Sequence, residues 1–463
     1  MNEQKLSNSN FWVDNQQSII FYISLISVGI LSIIGFLLFE GKEFIAIAFV
    51  GGLVSVWLVT QPKIAFYQFV TVMFTNLLFI DRPVILIVDI SAFLVIVTAI
   101  FDILLKGEYK FTLPKLSFNF FVITILFCLV ALFSYNQSLA VLPILHIVYL
   151  FATFLSLYRL SRYVTIEKTL KLFFILSVAN ALVAVLPYIG ASKVERLFGL
   201  AHSTLDDILM IAFPIGIVYF IKSSEKTFYY LISLLIIIGG LIATQSRLSI
   251  LFALFFGGVA VLYSIKIGEV STTKLLKRVQ GVAYSLLLFI VLILFVAPEY
   301  LTALLERFGS LLNSAPSETF LVRIVLWTNA LTTFADNIFF GIGLGHYKIL
   351  YTIYSSIHLH YMFPYIQGYS AHNMFFHYLA ETGLVGTTAV FALIINQFRI
   401  VLKTYKSKKH NLSDIDICLL VVSLLFLVTS FIEAGWMWGQ MGYLFVFFLV
   451  LIVRNFEKTV PAS

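Results

Sequence analysis

Arg247, Arg323 and His372 are the residues whose type and setting suit them to chemistry. Arg247 lies in Thr244-Gln245-Ser246-Arg247-Leu248-Ser249, a very short turn between two strongly apolar runs. Ser246 reads as the N-cap of a helix beginning at Leu248. An arginine there stands beside free helix N–H groups and a positive dipole end, both of which favour an anion. A guanidinium also grips phosphate through two parallel hydrogen bonds. The alternative is an interfacial arginine that meets lipid headgroups. Arg323 lies in a stretch of helical length, residues 318–335, preceded by Pro316-Ser317 and followed by Asp336-Asn337. Trp327 is four residues on, so the two side chains are neighbours on a helix surface. They either stack on each other or present a cation to a lipid-linked phosphate. His372 follows Ser370-Ala371 as an apolar stretch begins. With Ser370 as cap, His372 falls in the first helical turn, where the positive helix end favours the neutral imidazole. A neutral imidazole accepts a proton near neutral pH. Asn373 beside it is placed to orient it or to hold a ligand.

Other side chains gather around these. Five of the eight histidines lie between His346 and His377, and His358 and His360 invite a metal reading. The spacing is weak and no cysteine or carboxylate cluster accompanies it, so no metal ligands are assigned. Tyr347 and its aromatic neighbours from Tyr351 to Tyr369 form either an interfacial belt or a wall for sugar rings. Phe340-Gly341-Ile342-Gly343-Leu344-Gly345 has the wrong spacing for a dinucleotide fingerprint and no preceding strand. Its glycines are expected to end a helix and make a turn.

These residues must be positioned by membrane helices. Apolar residues make up 60% of the chain and charged residues 11%, and the mean hydropathy is +1.00. Apolar runs recur about fourteen times at spanning length, near 18–39, 44–60, 64–80, 84–105, 118–134, 139–158, 170–189, 204–221, 228–244, 248–265, 281–297, 373–396, 415–432 and 435–453. The first run is too long and too late for a cleaved signal peptide. With the N-terminus in the cytoplasm, roughly 22 of the Lys and Arg residues fall inside and about eight outside, as the positive-inside rule requires. The outer set is Lys42, Arg82, Lys193, Arg196, Arg247, Arg307, Arg323 and Lys348. Lys42 and Arg82 have acidic neighbours and read as surface pairs. The net charge of +7 thus reports orientation and contact with anionic lipid, not nucleic acid. The fold expected is all-α and polytopic. Residues 1–297 supply helices one to eleven, 298–370 form a large outer loop with short amphipathic helices, and 371–463 supply the last three. The amphipathic face of the 318–335 helix is expected to be Phe320, Ile324, Trp327, Leu331 and Phe334. Cys128 and Cys418 lie in apolar runs and read as packing residues. Asp89 and Asp102, inside one run, are functional candidates by position but read as structural because each is near a run end.

Across 196–386 the motifs resemble the O-antigen ligase and O-antigen polymerase family of bacterial membrane glycosyltransferases. They are Arg196-Leu197-Phe198-Gly199, Thr244-Gln245-Ser246-Arg247, Arg323 with Trp327 and Asp336, Gly341-Ile342-Gly343-Leu344-Gly345, and His372-Asn373 followed after nine residues by Gly383-Leu384-Val385-Gly386. The family's usual proline-asparagine after the first motif is replaced by His202-Ser203-Thr204. The resemblance implies a GT-C-like enzyme in the bacterial inner membrane, with both termini cytoplasmic and the site facing outward. Its donor is a glycan on undecaprenyl diphosphate, its acceptor a sugar hydroxyl, and it works without metal or other cofactor. A polysaccharide chain-length regulator is an expected partner. Arg247, Arg323 and Arg196 then hold the diphosphate, His372 acts on the acceptor, and Trp327, Tyr347 and Asn373 bind substrate. Fourteen helices lean towards a surface-polysaccharide polymerase and the His372-Asn373 spacing towards a ligase; polymerase is the reading adopted. The rival of another class is a polysaccharide transporter or flippase, which predicts charged or broken helices near the midplane.

The orientation makes a direct prediction. Cysteines placed at Ser310 and Ser355 react with a membrane-impermeant thiol reagent from outside, and one at Ser407 reacts only after lysis. The reverse pattern contradicts the orientation.

Overall fold

A computed structural model describes residues 60–74, 78–80, 85–106, 113–185, 204–223, 225–266, 318–348, 370–408, 412–431 and 439–459, with scattered positions between 273 and 309. The apolar runs form helices because a backbone in lipid must satisfy its own N–H and C=O groups. In chain order these are α1 (Pro62–Val72), α2 (Ile87–Lys106), α3 (Ser117–Leu132), α4 (Gln137–Leu160), α5 (Ile166–Val185), α6 (Leu205–Lys222), α7 (Thr227–Thr244), α8 (Arg247–Lys266), α9 (Glu318–Asp336), α10 (Met374–Lys408), α11 (Asp414–Thr429) and α12 (Gly439–Thr459). Polar residues set several ends. Asn136 accepts from the Ser138 N–H at 3.1 Å to start α4. Ser413 and Asp416 form a capping box on α11. Gln245 turns left-handed (φ 54°) to end α7.

Among the described residues, seven helices are long and apolar enough to cross a membrane. The expected count of about fourteen is not reproduced there; the runs at 18–39 and 44–60 and most of 281–297 lie outside the described residues. The run expected at 64–80 is corrected outright. Its helix stops at Val72, and the chain then makes an antiparallel two-stranded hairpin, β1 (Leu78–Ile80) with β2 (Ile85–Leu86). The intervening sequence carries Asp81-Arg82-Pro83. Composition reads 78–80 as part of the helix because the strand residues Leu78-Phe79-Ile80 are as apolar as a spanning segment.

Two helices form the centre. Nearly every residue of α6 is buried, and α12 is buried from Tyr443 to Val453. The helix ends segregate into two sets. At one end Asp102, buried near the end of α2, meets Arg159 Nε at 2.7 Å, Arg162 Nη2 at 2.5 Å and Lys106 Nζ at 3.2 Å. Asp416 at the start of α11 meets Lys408 Nζ and Asn455 Nδ2, both at 2.7 Å. Lys115 lies over the Phe456 ring and Tyr158 donates to Glu457, which joins the two clusters. Asp102 thus serves the ionic network that holds α2 to α4. At other helix ends Asn136 N–H donates to His346 Nε2 at 3.0 Å, and Met374 N–H, two residues after His372, donates to Ser430 O at 2.9 Å.

The longest helix is broken. α10 carries Gly383 at φ 61°, ψ −158°. In an unbroken helix the N–H groups of Leu384 and Val385 would bond the carbonyls of Ala380 and Glu381. Instead Leu384 N–H donates to Ile338 O at 2.8 Å and Val385 N–H to Phe339 O at 3.2 Å. The released carbonyls accept from the turn after α9: Ala380 O from Ile342 N–H and Glu381 O from Gly343 N–H, both at 2.9 Å. These four groups are therefore satisfied by the 338–343 segment. Close approach requires glycine on both sides. A Cβ on Gly383 would lie 2.4 Å from the Phe339 carbonyl carbon, and one on Gly341 (φ 65°) would lie 2.4 Å from that of Glu381.

Gly383→Ala should therefore cost about 3 kcal/mol or more, from a strained φ and a backbone clash that no rotamer relieves. Thermal unfolding of the purified chain in detergent reads this. Gly258→Ala, where an added Cβ meets nothing within 4 Å, should be close to neutral. Equal stability of the two variants would contradict the role given to the break.

Candidate functional site

The 318–335 stretch forms the expected helix, α9, and a second stripe beside the expected apolar face packs inward. Val322, Val325, Leu326 and Ala330 are buried against Tyr347, Ala371 and Ala380. Ile324 is 40% and Leu331 45% exposed. The sequence carries two apolar stripes, and the one with smaller residues faces α10 because it permits closer packing. The bulkier stripe is left towards the surroundings, which suits a helix at an apolar boundary. Arg323 is half-buried beside the inner stripe. Trp327, one turn on, donates from its indole N–H to the Ala371 carbonyl at 3.0 Å, and its ring lies 5.6 Å from that of Phe376. The indole thus ties α9 to the residue just before His372.

His372 is placed differently from expectation. α10 begins at Met374, and its cap is Asn373, whose side-chain oxygen accepts from the Phe376 N–H at 3.0 Å. Ser370 is not the cap, because a left-handed residue at His372 (φ 46°) turns the chain before the helix starts. His372 therefore precedes the helix and is not in its first turn, so the premise of the dipole argument is not met. It is half-buried and held from both sides. Ala371 receives Trp327, while the Asn373 amide donates to Phe431 O at 2.7 Å and Met374 N–H donates to Ser430 O at 2.9 Å. Both ends of the Asn373 amide are engaged with backbone.

Tyr347 faces inward. Its hydroxyl donates to Leu326 O at 2.6 Å, and its N–H donates to Glu381 Oε1 at 3.1 Å. It works as a strut between α9 and α10. The turn containing Gly341, Gly343 and Gly345 follows α9 as expected, with all three at positive φ. Arg247 is the first residue of α8, so the helix starts one residue earlier than expected, with Ser246 in the capping position. Ser246 O accepts the Ile250 N–H at 3.1 Å. Arg247 stands on a separate wall: the Ser246 hydroxyl reaches Ser249 Oγ at 2.8 Å, and Ser249 donates to Asp206 Oδ2 at 3.1 Å. Lys348 is exposed. Arg196 and the aromatic stretch 349–369, with His358 and His360, lie outside the described residues. Among the described residues no three His, Cys, Asp or Glu side chains gather as a metal set.

Sequence reasoning missed four residues here. His346 is buried; its Nε2 accepts from the Asn136 N–H at 3.0 Å, which leaves the proton on Nδ1 to donate to Leu344 O at 2.9 Å. It fastens the glycine turn to the start of α4. Glu381 holds Tyr347 with one oxygen and presents the other 3.5 Å from His377 Nε2. The four-residue spacing of His377 and Glu381 on one helix was the available signal. Asp206 sits in the first turn of α6 and gave no sign that it would reach α8.

Glu381→Ala removes the acceptor of a buried N–H and should destabilise the chain by about 1–3 kcal/mol. Glu381→Gln keeps a carbonyl oxygen for Tyr347 and should lose much less. Thermal unfolding separates the two, and an equal loss from both would assign the effect to charge.

The comparison with known families agrees with the motifs. Residues 232–391 match the family described as O-antigen ligase. That segment runs from within α7 into α10, so it contains Arg247, Arg323, Trp327, the glycine turn, His372 and the break at Gly383; Arg196 lies before it. No characterised protein gives a match to the chain. Through the segment that builds this site, the chain is similar to the O-antigen ligase family.

Proposed function

We propose that the chain transfers a glycan from undecaprenyl diphosphate to a sugar hydroxyl at the outer end of the bundle. The observation that carries this is the α9–α10 junction. Shared backbone bonds and the Trp327–Ala371 bond hold the helix of Arg323 against the turn of His372, inside the segment that matches the family. In the transfer the acceptor oxygen attacks the anomeric carbon. The bond from that carbon to the phosphate oxygen breaks, and the diphosphate leaves with the electron pair. The acceptor proton passes to His372. Negative charge grows on the leaving group, and Arg323 and Arg247 stabilise it as fixed cations aimed where charge develops. A guanidinium pair supplies what a divalent ion supplies in other phosphate chemistry, so activity should persist in excess chelator.

The reading adopted within the family is polymerisation of surface-polysaccharide repeat units. Ligation of the glycan to lipid A-core is the second reading, favoured by the description of the matching family and by the His372-Asn373 to Gly383 spacing. A transporter would use a broken helix to line a path through the membrane. The break in α10 instead bonds its freed groups to the 338–343 turn, which favours a fixed scaffold. Glycan analysis of a deletion strain separates the two transfer readings. Single-repeat surface glycan marks a lost polymerase; accumulated long lipid-linked chains mark a lost ligase.

The roles predict a graded series. Arg247→Lys and Arg323→Lys keep charge but lose the planar fork, so surface glycan should fall substantially. Arg323→Ala should cost more than Lys348→Ala. His372→Ala should lower turnover by about 10²–10⁴-fold, and His372→Gln, which can bond but not take the proton, should not restore it. Wild-type glycan from normally expressed Arg247, Arg323 and His372 variants would refute this site while leaving the family unaffected.

A further inference from the structure

The end of the bundle opposite His372 carries a cleft of about 620 Å³ that the transfer reaction does not use. It opens where α5, α7 and α11 begin and α6 ends. Its walls mix Lys171, Lys222 and Lys226 with Glu167, Glu225 and Asp414. Two pairs are already formed, Lys171 with Glu167 and Lys222 with Asp414, each at 2.5 Å. Glu225 and Lys226 are exposed and take part in no ion pair among the described residues.

Two further observations point to a ligand. The Tyr219 side chain lines the cleft and is only 6% exposed, yet its hydroxyl has no hydrogen-bond partner among the described residues. Buried hydroxyls normally have one. Helix starts face the same space, and α7 differs from its neighbours. α5 has Glu167 and α11 has Asp414 in the first turn. α7 has no acid there, and its capping residue, Lys226, makes no side-chain cap. The N–H groups of Phe228 and Tyr229 in its first turn and the Lys226 ammonium therefore form a position for an anion.

The mixed charge narrows the ligand. Three carboxylates oppose a purely anionic group. A quaternary ammonium has no N–H to give them, whereas a primary ammonium donates three hydrogen bonds. The cleft lies at the level of helix ends, and the rings of Tyr219 and Tyr230, 5.7 Å apart, stand at its boundary with the apolar region. We propose that this cleft seats the headgroup of an aminophospholipid, with the phosphate at Lys226 and the start of α7 and the primary ammonium at Glu225. The inference depends on the chain's being a membrane protein and not on glycosyl transfer.

Native mass spectrometry of the full chain tests it, with protein taken from vesicles of equal phosphatidylethanolamine, phosphatidylglycerol and phosphatidylcholine. Phosphatidylethanolamine should be retained preferentially. Lys226→Gln and Glu225→Gln, both at exposed positions, should each cut that retention by about tenfold, a loss of one strong polar contact. Tyr219→Phe should reduce it less, and Lys403→Gln, on α10, should leave it unchanged. Equal retention of the three lipids, preference for phosphatidylglycerol, or variants that bind as wild type would overturn the proposal. So would variants that keep the lipid but shed a co-purifying protein, since the cleft would then be a protein-docking site.

Discussion

The four backbone hydrogen bonds between residues 338–343 and 380–385 are the constraint on which the candidate site depends. A helix broken inside a bundle leaves N–H and C=O groups in need of partners, and unsatisfied groups are costly away from water. Here the turn after α9 supplies partners for the N–H groups of Leu384 and Val385 and the carbonyls of Ala380 and Glu381. The break and the turn are thus two halves of one hydrogen-bonded structure. Gly341 and Gly383 are each required because the two backbones come within contact distance.

From this junction the side chains follow. α9 is held close enough for Val322, Leu326 and Ala330 to pack on Tyr347 and Ala380. Tyr347 and Glu381 then link the two helices through a second layer of bonds, and His346 ties the turn to α4. The result is a rigid frame in which Arg323 and His372 are both half-buried rather than free on a loop. A site preorganised in this way stabilises developing charge without having to rearrange. Arg247 stands at the start of α8, which Ser249 ties to α6 through Asp206.

Much of the helical layout was legible because spanning segments must be long and apolar; α7 and α8 begin and end within one residue of the runs, a shift inside the ordinary uncertainty of helix ends. The turn after α9 was legible from its glycines. What failed did so for local reasons. Composition alone could not see the hairpin at 78–86, since its strands are as apolar as a helix. The stripe of α9 that packs on α10, Val322, Leu326 and Ala330, was not singled out because the bulkier apolar face beside it dominates the pattern. The cap of α10 was misplaced because Ser370 and Asn373 are both good caps, and only the left-handed His372 decides between them. The break at Gly383 was hidden because its evidence, a partner strand of backbone forty residues earlier in the chain, is tertiary.

The central claim is that this frame catalyses transfer from a lipid diphosphate. The most direct measurement is release of polyprenyl diphosphate by the purified chain, supplied with a glycan-linked polyprenyl diphosphate donor and a sugar acceptor. The account predicts release matched by formation of a glycosidic bond, in the presence of chelator, and its loss in Arg323→Ala protein that remains folded. A folded wild-type chain that binds the donor yet releases no diphosphate, or an Arg323→Ala chain that turns over normally, would contradict it.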